Sequence, residues 1–548
     1  MASYSGYVDT FANDNLPPRE EWPDLIFDLP ELRYPEHLNA AKALLDDMTK
    51  GESANSPCVH DEHGVWSYRD LLEKANRIAQ VLTEDMGLAS GNRVLLRAPN
   101  TPMLIASWFG VLKAGGIVVA TMPLLRAGEL TTIIEKAQIS HALTDARLVE
   151  ELETARQDAP VLSNVMTFGP GGELEERMEA KPPEFETVET AAEDVALIAP
   201  TSGTTGEPKG CMHFHRDILA VCDTFARYLL DPQPDEIFTC TAPLAFTFGL
   251  GGLILFPMRF GASTVPIEEP GPEALLEIIK THRATTVFTA PTAYRALLNS
   301  VDEVDDLSSL KKCVSAGEYL PSATSDAWFE HTGFRIIDGI GSTEMLHIFI
   351  SAVDDDIRPG STGKPVPGYQ AMIADEDMRP LPAGEIGRLA VKGPTGCRYL
   401  ADPRQAEYVV DGWNVTGDSY KVDEDGYFWF QARTDDMIVS AGYNISGPEV
   451  EAALMEHDAV SECAVVASPD EERGNVVKAF VVLREGAERG EELVEELQDF
   501  AKGRIAPYKY PRAVEFVDEL PKTQTGKVQR FRLRERELEQ AEAQRDLS

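Results

Sequence analysis

The chain has 548 residues, 43% of them hydrophobic and 26% charged, with a formal net charge of −41. That length exceeds one ordinary domain, so two or more are expected, and charge of this sign excludes a surface built for nucleic-acid phosphates. The seven cysteines are scattered and form no C-x-x-C pair, which speaks against a disulfide framework and suits a reducing compartment.

Residues 1–55 read as a partly extended arm with a helix near Pro35–Lys50. Ser67–Met86 carries Leu71, Leu72, Ala75, Ile78, Ala79 and Leu82 at helical spacing, which predicts an amphipathic helix, and Arg93–Arg97 reads as a strand. Met103–Leu125 is the longest apolar stretch, long enough to pass for a membrane span. Lys113 and the Gly115-Gly116 break predict instead a buried helix followed by a buried strand. With no basic-led apolar leader at Met1–Asn15, a soluble cytoplasmic protein is expected. Helix and strand signals alternate to about residue 340, as in layered α/β folds with mainly parallel sheets. Residues 169–194 are rich in Gly, Pro and Glu and read as a surface connection.

Val195–Ala199 then predicts a short buried strand delivering the loop Thr201-Ser202-Gly203-Thr204-Thr205-Gly206-Glu207-Pro208-Lys209-Gly210. Its three glycines, four hydroxyls and one lysine suit a polyphosphate, which backbone N–H groups and hydroxyls can surround while the ammonium neutralises charge. The spacing is not that of the common P-loop, G-x-x-x-x-G-K-[ST]. His213 and His215 follow on the outgoing strand; no third ligand is suggested nearby, so a metal site is not expected there. From about Gly360 to Phe430, turn signals at Pro367-Gly368, Pro382-Ala383-Gly384, Asp411-Gly412 and Asp425-Gly426 separate short strand candidates and predict a small β-rich subdomain. Beyond Asp435 a further α+β unit is expected, closing in a charged, frayed helix over Arg530–Arg545.

Four later segments carry matching chemistry: Ile337-Asp338-Gly339-Ile340-Gly341-Ser342-Thr343-Glu344, Thr416-Gly417-Asp418, Arg433-Thr434-Asp435-Asp436, and Pro521-Lys522-Thr523-Gln524-Thr525-Gly526-Lys527. With the Thr201–Gly210 loop, and in this order, they resemble the adenylate-forming superfamily: acyl-CoA synthetases, peptide-synthetase adenylation domains and luciferases. The resemblance covers about residues 60–530. It implies an α/β fold with a large N-terminal domain (1–434) of two layered α/β subdomains plus a small β-barrel (about 360–430). A small mobile α+β domain (435–548) would follow, hinged at Asp435.

The resemblance also implies an ATP-dependent acid–CoA ligase using Mg²⁺. Lys527, Glu344 and Thr204 match catalytic positions. Thr201, Ser202, Gly203, Thr204, Thr205, Gly206 and Lys209 match the phosphate loop, and Gly317, Glu318 and Asp338–Thr343 match the adenine and acyl-site walls. Asp418 and Arg433 match the ribose contacts, and Glu344 the Mg²⁺-associated carboxylate. Gly442, Tyr443, Arg473 and Lys509 match CoA-facing positions. One departure is Ala432, where the family usually has glycine before the arginine.

The acid pocket is expected from Phe246, Thr247, Phe248 and Gly249, from Ala316, and from Ile340, His347 and Ile348, with planar walls suited to an aromatic acid. These segments look like those of benzoate–CoA and 2-aminobenzoate–CoA ligases. A medium-chain fatty acid, or transfer to another thiol acceptor such as a carrier protein, is the alternative. The expected partners are the acid, ATP and CoA, with a homodimer allowed for.

The acidity resembles haloarchaeal composition, since 32 of the 50 basic residues are arginine and carboxylates outnumber bases. At low ionic strength these carboxylates repel across the surface; at molar salt the screening length falls to about 3 Å. The thermal midpoint is therefore expected to rise from low to molar KCl, and equal midpoints would contradict a salt-adapted surface.

Overall fold

A computed structural model describes residues 4–201, 208–300, 307–433, 436–440, 443–470, 474–505, 507–522 and 528–545. Two central sheets carry the large domain. The first has six strands in the order Asn164–Phe168, His141–Asp145, Arg93–Arg97, Ile117–Thr121, Val195–Thr201, Lys209–Phe214. Its strands are parallel except the last two, which form an antiparallel hairpin. The second has nine strands and runs from Lys364–Pro365 through Ile336–Gly341 and Thr286–Thr289 to Gly64–Ser67. Its middle is parallel and its two ends antiparallel.

Helix Tyr68–Gln80 forms where predicted, started by a capping box between Ser67 and Asp70. Its Leu71, Ala75, Ile78 and Ala79 are buried against helix Pro102–Lys113, which Thr101 caps and Pro102 opens. Strand Ile117–Thr121 follows, so the long apolar stretch is helix then strand. No helix among the described residues is long and apolar enough to cross a membrane. All seven cysteines are buried and free, as small core residues.

Two expectations are corrected. Residues 169–194 are not simply a surface connection: they hold helix Leu174–Glu179 and are pinned to the core. Asn76 Nδ2 and Gln80 Nε2 donate to the Pro183 and Pro182 carbonyls, both at 2.7 Å. The buried Lys113 ammonium reaches Thr187 at 2.6 Å and pairs with Asp46. Nor is helix Arg530–Arg545 simply frayed. Leu533 and Glu537 are buried, and Glu537 accepts from Ser468 Oγ and Lys478 Nζ, both at 2.7 Å.

The region read as a small β-barrel carries a five-stranded antiparallel sheet built on Trp413–Val422. The smaller C-terminal domain comprises the hairpin Met437–Ser440/Tyr443–Ser446 and a three-stranded sheet, Val460–Asp470, Gly474–Leu483 and Ala513–Phe516, with flanking helices.

Candidate active site

The glycine-rich loop joins the two strands of the hairpin Val195–Thr201/Lys209–Phe214, whose base pairs Thr201 with Lys209. Ser202, Gly203, Thr204, Thr205 and Gly206 lie outside the described residues. So do Asp435, Gly442, Arg473 and Lys527, and of Tyr443 only the backbone is described, paired with Ser440.

Lys209 Nζ donates to Tyr399 Oη at 3.0 Å, and Tyr399 Oη donates to Glu344 Oε1 at 2.5 Å. Two predicted residues thus meet through a tyrosine the sequence did not single out. Tyr399 is fully buried on a segment that pairs with the hairpin's outer strand. Met212 N–H donates to the Arg398 carbonyl at 2.7 Å, and Leu400 N–H to that of Gly210 at 2.8 Å. Burial, reinforced by the Glu344 carboxylate, holds the Tyr399 phenol far above its ordinary pKa, so it remains a donor.

Strand Ile336–Gly341 brings the second glycine-rich loop beside this centre. His213 Nε2 donates to the Thr343 carbonyl at 2.8 Å, which fixes the tautomer because a carbonyl only accepts. Ser342 Oγ meets Tyr408 Oη at 3.3 Å and accepts Met345 N–H at 3.2 Å. Close packing explains the glycines: a Cβ at Gly339 would lie 2.8 Å from Ile348, and one at Gly341 2.7 Å from the His347 backbone. Burial pushes the Asp338 carboxyl well up. The predicted ribose pair also meets. Asp418 and Arg433 face each other across neighbouring strands, with Arg433 Nη1 donating to Asp418 Oδ1 at 3.0 Å. Ala432, opposite Ser419 on the neighbouring strand, is fully buried.

Gly317 and Glu318 follow strand Lys312–Ser315, the glycine at φ +90°, where a side chain would be strained. Arg530, three residues beyond Lys527, is gripped by Glu451 at 2.6 Å and lies within electrostatic reach of Glu318. Lys509 is bound by Glu449, with oxygens at 2.6 and 2.7 Å.

Of the segment expected to form the first wall of the acid pocket, Phe248 and Gly251 meet at the ring of His347. Phe248 stacks on its ring at 5.8 Å and Phe225 at 5.5 Å, while Phe256 meets it edge-on at 4.5 Å. Phe288 closes the group, beside Phe248 at 5.4 Å. Burial lowers the His347 pKa to about 3, so the ring is neutral at pH 7. Ile348 and Ala316 are buried and Phe246, Thr247 and Ile340 half-buried; a Cβ at Gly249 would strike the Pro243 carbonyl at 2.2 Å. Phe225, Phe256 and Phe288 carry no motif, and the sequence reading did not single them out.

Gly251 is the contact on which this packing turns. A Cβ there would stand 2.4 Å from His347 Nε2. Gly251→Ala is expected to displace the imidazole, cost about 1–3 kcal/mol of stability and raise KM for the acid with KM for ATP unchanged. Denaturant melts and initial rates check this, and an unaltered KM for the acid contradicts it.

The described residues contain no cluster of three metal-ligating side chains. One carboxylate, Glu344, nonetheless fits Mg²⁺, which keeps waters and takes its remaining oxygens from substrate phosphates rather than from a protein cage.

The profile of the AMP-binding enzyme family matches residues 47–399, and that of the AMP-binding enzyme C-terminal domain matches residues 449–527. The chain is 35% identical to the benzoate–CoA ligase of Thauera aromatica, over 92% of this chain and 97% of the relative. Among solved structures, it resembles the anthranilate CoA ligase AuaEII in complex with anthranoyl-AMP. The TM-score there is 0.88 at 35% identity, covering 92% of this chain and 98% of that one. A benzoate CoA ligase from Burkholderia xenovorans LB400 matches with TM-score 0.83 at 33% identity, covering 90% and 99%.

Proposed function

We propose that this chain, which belongs to the AMP-binding enzyme family, activates benzoate or a substituted benzoate such as 2-aminobenzoate. It is an AMP-forming, ATP-dependent acid–CoA ligase. The observation that carries the choice of acid is the half-buried ring of Phe248, backed by Phe288 and by a neutral His347. Flat apolar faces favour an aromatic ring, and relatives named for benzoate and anthranilate support the same class.

In the first step the acid's carboxylate attacks the α-phosphorus of ATP, forming an acyl adenylate and releasing pyrophosphate. In the second, the CoA thiol attacks the acyl carbon and AMP leaves. We assign the Thr201–Lys209 loop to the β- and γ-phosphates, Asp418 and Arg433 to the ribose, and Lys527 to the oxygens between carboxylate and α-phosphate. Glu344 would hold Mg²⁺, which when bound neutralises phosphate charge. The family's change of half-reaction is a rotation of the small domain about Asp435, which would present Gly442 and Lys509 to CoA.

The test is a panel of benzoates and straight-chain fatty acids with ATP, Mg²⁺ and CoA in molar KCl, scored by pyrophosphate release and thioester mass. Benzoates are expected to give the highest kcat/KM. Preference for a medium-chain fatty acid would overturn the choice of acid and leave the ligase chemistry standing.

A further inference from the structure

We propose that Tyr399 is a positioning residue that presents Glu344 to Mg²⁺ through a single oxygen and holds Lys209 at a fixed offset from it. This rests on the reading of Glu344 as the Mg²⁺ carboxylate.

The Tyr399 hydroxyl has one proton and accepts through its lone pairs. Here it spends the proton on Glu344 Oε1 at 2.5 Å and accepts one proton of the Lys209 ammonium at 3.0 Å. Both bonds involve a charged partner, the stronger class of hydrogen bond. The ammonium keeps two further N–H donors for phosphate oxygens. Without the hydroxyl, an unscreened ammonium and carboxylate would close on each other, and each would be lost to the triphosphate.

The phenol cannot swing away. The Tyr399 backbone N–H donates to Gln405 Oε1 at 2.9 Å, and Tyr408 packs edge-on against the ring at 5.8 Å. The turn that follows is nailed down by Asp402, which takes Lys136 at 2.7 Å and Arg404 at 2.6 Å. A donor held this firmly needs no reorganisation when the metal arrives.

The consequence is selectivity. The phenol's hydrogen bond takes one lone pair of Oε1 and weakens it as a metal ligand, which makes Oε2 the better oxygen for the cation. Mg²⁺ takes short single-oxygen contacts in near-octahedral geometry, whereas Ca²⁺ readily takes a carboxylate through both oxygens. The arrangement therefore favours Mg²⁺ over Ca²⁺, and the effect acts through Glu344 rather than on the nucleotide directly.

Calorimetric binding of α,β-methylene-ATP, which cannot be cleaved at that bridge, to the full chain separates these terms. Titrations run with Mg²⁺, with Ca²⁺ and with EDTA. Tyr399→Phe is expected to reduce the gain in affinity given by Mg²⁺ by about 10–100-fold, the usual cost of removing a partner of a metal ligand, and to weaken EDTA binding by less, through Lys209 alone. The gain given by Ca²⁺ is expected to fall less. A loss of equal size in Mg²⁺ and EDTA, as a merely structural role would give, overturns the inference, and so does an unchanged gain from Mg²⁺.

Glu344→Gln distinguishes the two readings. If it keeps the gain from Mg²⁺, the assignment of Glu344 fails; if it abolishes the gain while Tyr399→Phe does not, only the role of Tyr399 fails. Should Tyr399→Phe not fold, the wild type still decides: a larger gain from Mg²⁺ than from Ca²⁺ is expected, and equal gains contradict the proposal.

Discussion

Replacing Lys527 with alanine is expected to slow acyl-adenylate formation by about 10²–10³-fold and to leave thioester formation from a supplied acyl adenylate close to wild type. Negative charge builds on the oxygens between the acid and the α-phosphate as that bond forms. A placed ammonium stabilises it more in the transition state than in the ground state, which is what raises a rate. Once the adenylate exists, the charge to be met lies elsewhere and the lysine's contribution ends. The residues flanking this segment suit the role: Lys522 and Val528 pair as a β-bridge, and Gln529 N–H donates to the Pro521 carbonyl at 2.8 Å. Arg530, three positions beyond the lysine, is anchored by Glu451 at 2.6 Å. Single-turnover measurement of each half-reaction checks the prediction, and equal losses in both contradict the assigned role.

Arg398→Met is expected to destabilise the large domain by about 3–5 kcal/mol, because removing the close partner leaves a buried carboxylate with only His213 Nδ1 and Arg216 Nε as basic neighbours, each at 3.9 Å. Arg398 and Asp217 are both fully buried and meet at 2.8 Å. Their surroundings are apolar on one side: the guanidinium lies 4.1 Å from the Phe214 ring centroid and 5.1 Å from that of Trp22. Asp217 also accepts the Phe214 N–H at 3.0 Å. The pair joins the helix that follows the hairpin, His215–Val221, to the segment that carries Tyr399, so its loss loosens the site as well as the core. The double variant Asp217→Leu/Arg398→Met is expected to recover a good part of the loss, since an apolar pair of similar volume no longer buries a lone charge. Urea unfolding in molar KCl measures both; a single variant as stable as wild type would contradict this view of the pair.

What the sequence made legible was local. The Thr201–Gly210 loop, the Asp338–Glu344 loop and the capped helix at Tyr68 each announce themselves within a dozen residues, through glycine, hydroxyl and apolar spacing. Phe248 and His347 were both expected near the acid, and their rings stack at 5.8 Å, although the stacking itself was not legible. What escaped depends on contacts between distant segments. Tyr399 stands 55 positions from Glu344 and 190 from Lys209, in a stretch with no motif. His213 reads as a strand residue until its bond to the Thr343 carbonyl, 130 positions away, is seen. The closing helix looked frayed because Glu537 counts as a surface residue by type; its burial depends on Lys478 and Ser468 from other strands. The connection over 169–194 was misjudged for a related reason, since its carbonyls are held by Asn76 and Gln80, whose side chains give no sign of this in composition.

The most direct measurement is isotope exchange between labelled pyrophosphate and ATP, with purified protein, Mg²⁺ and molar KCl, in the presence and absence of benzoate and without CoA. Exchange that depends on benzoate is the predicted result, because reversible adenylation is the step that every assigned residue serves. Exchange absent with every carboxylic acid tried would contradict it.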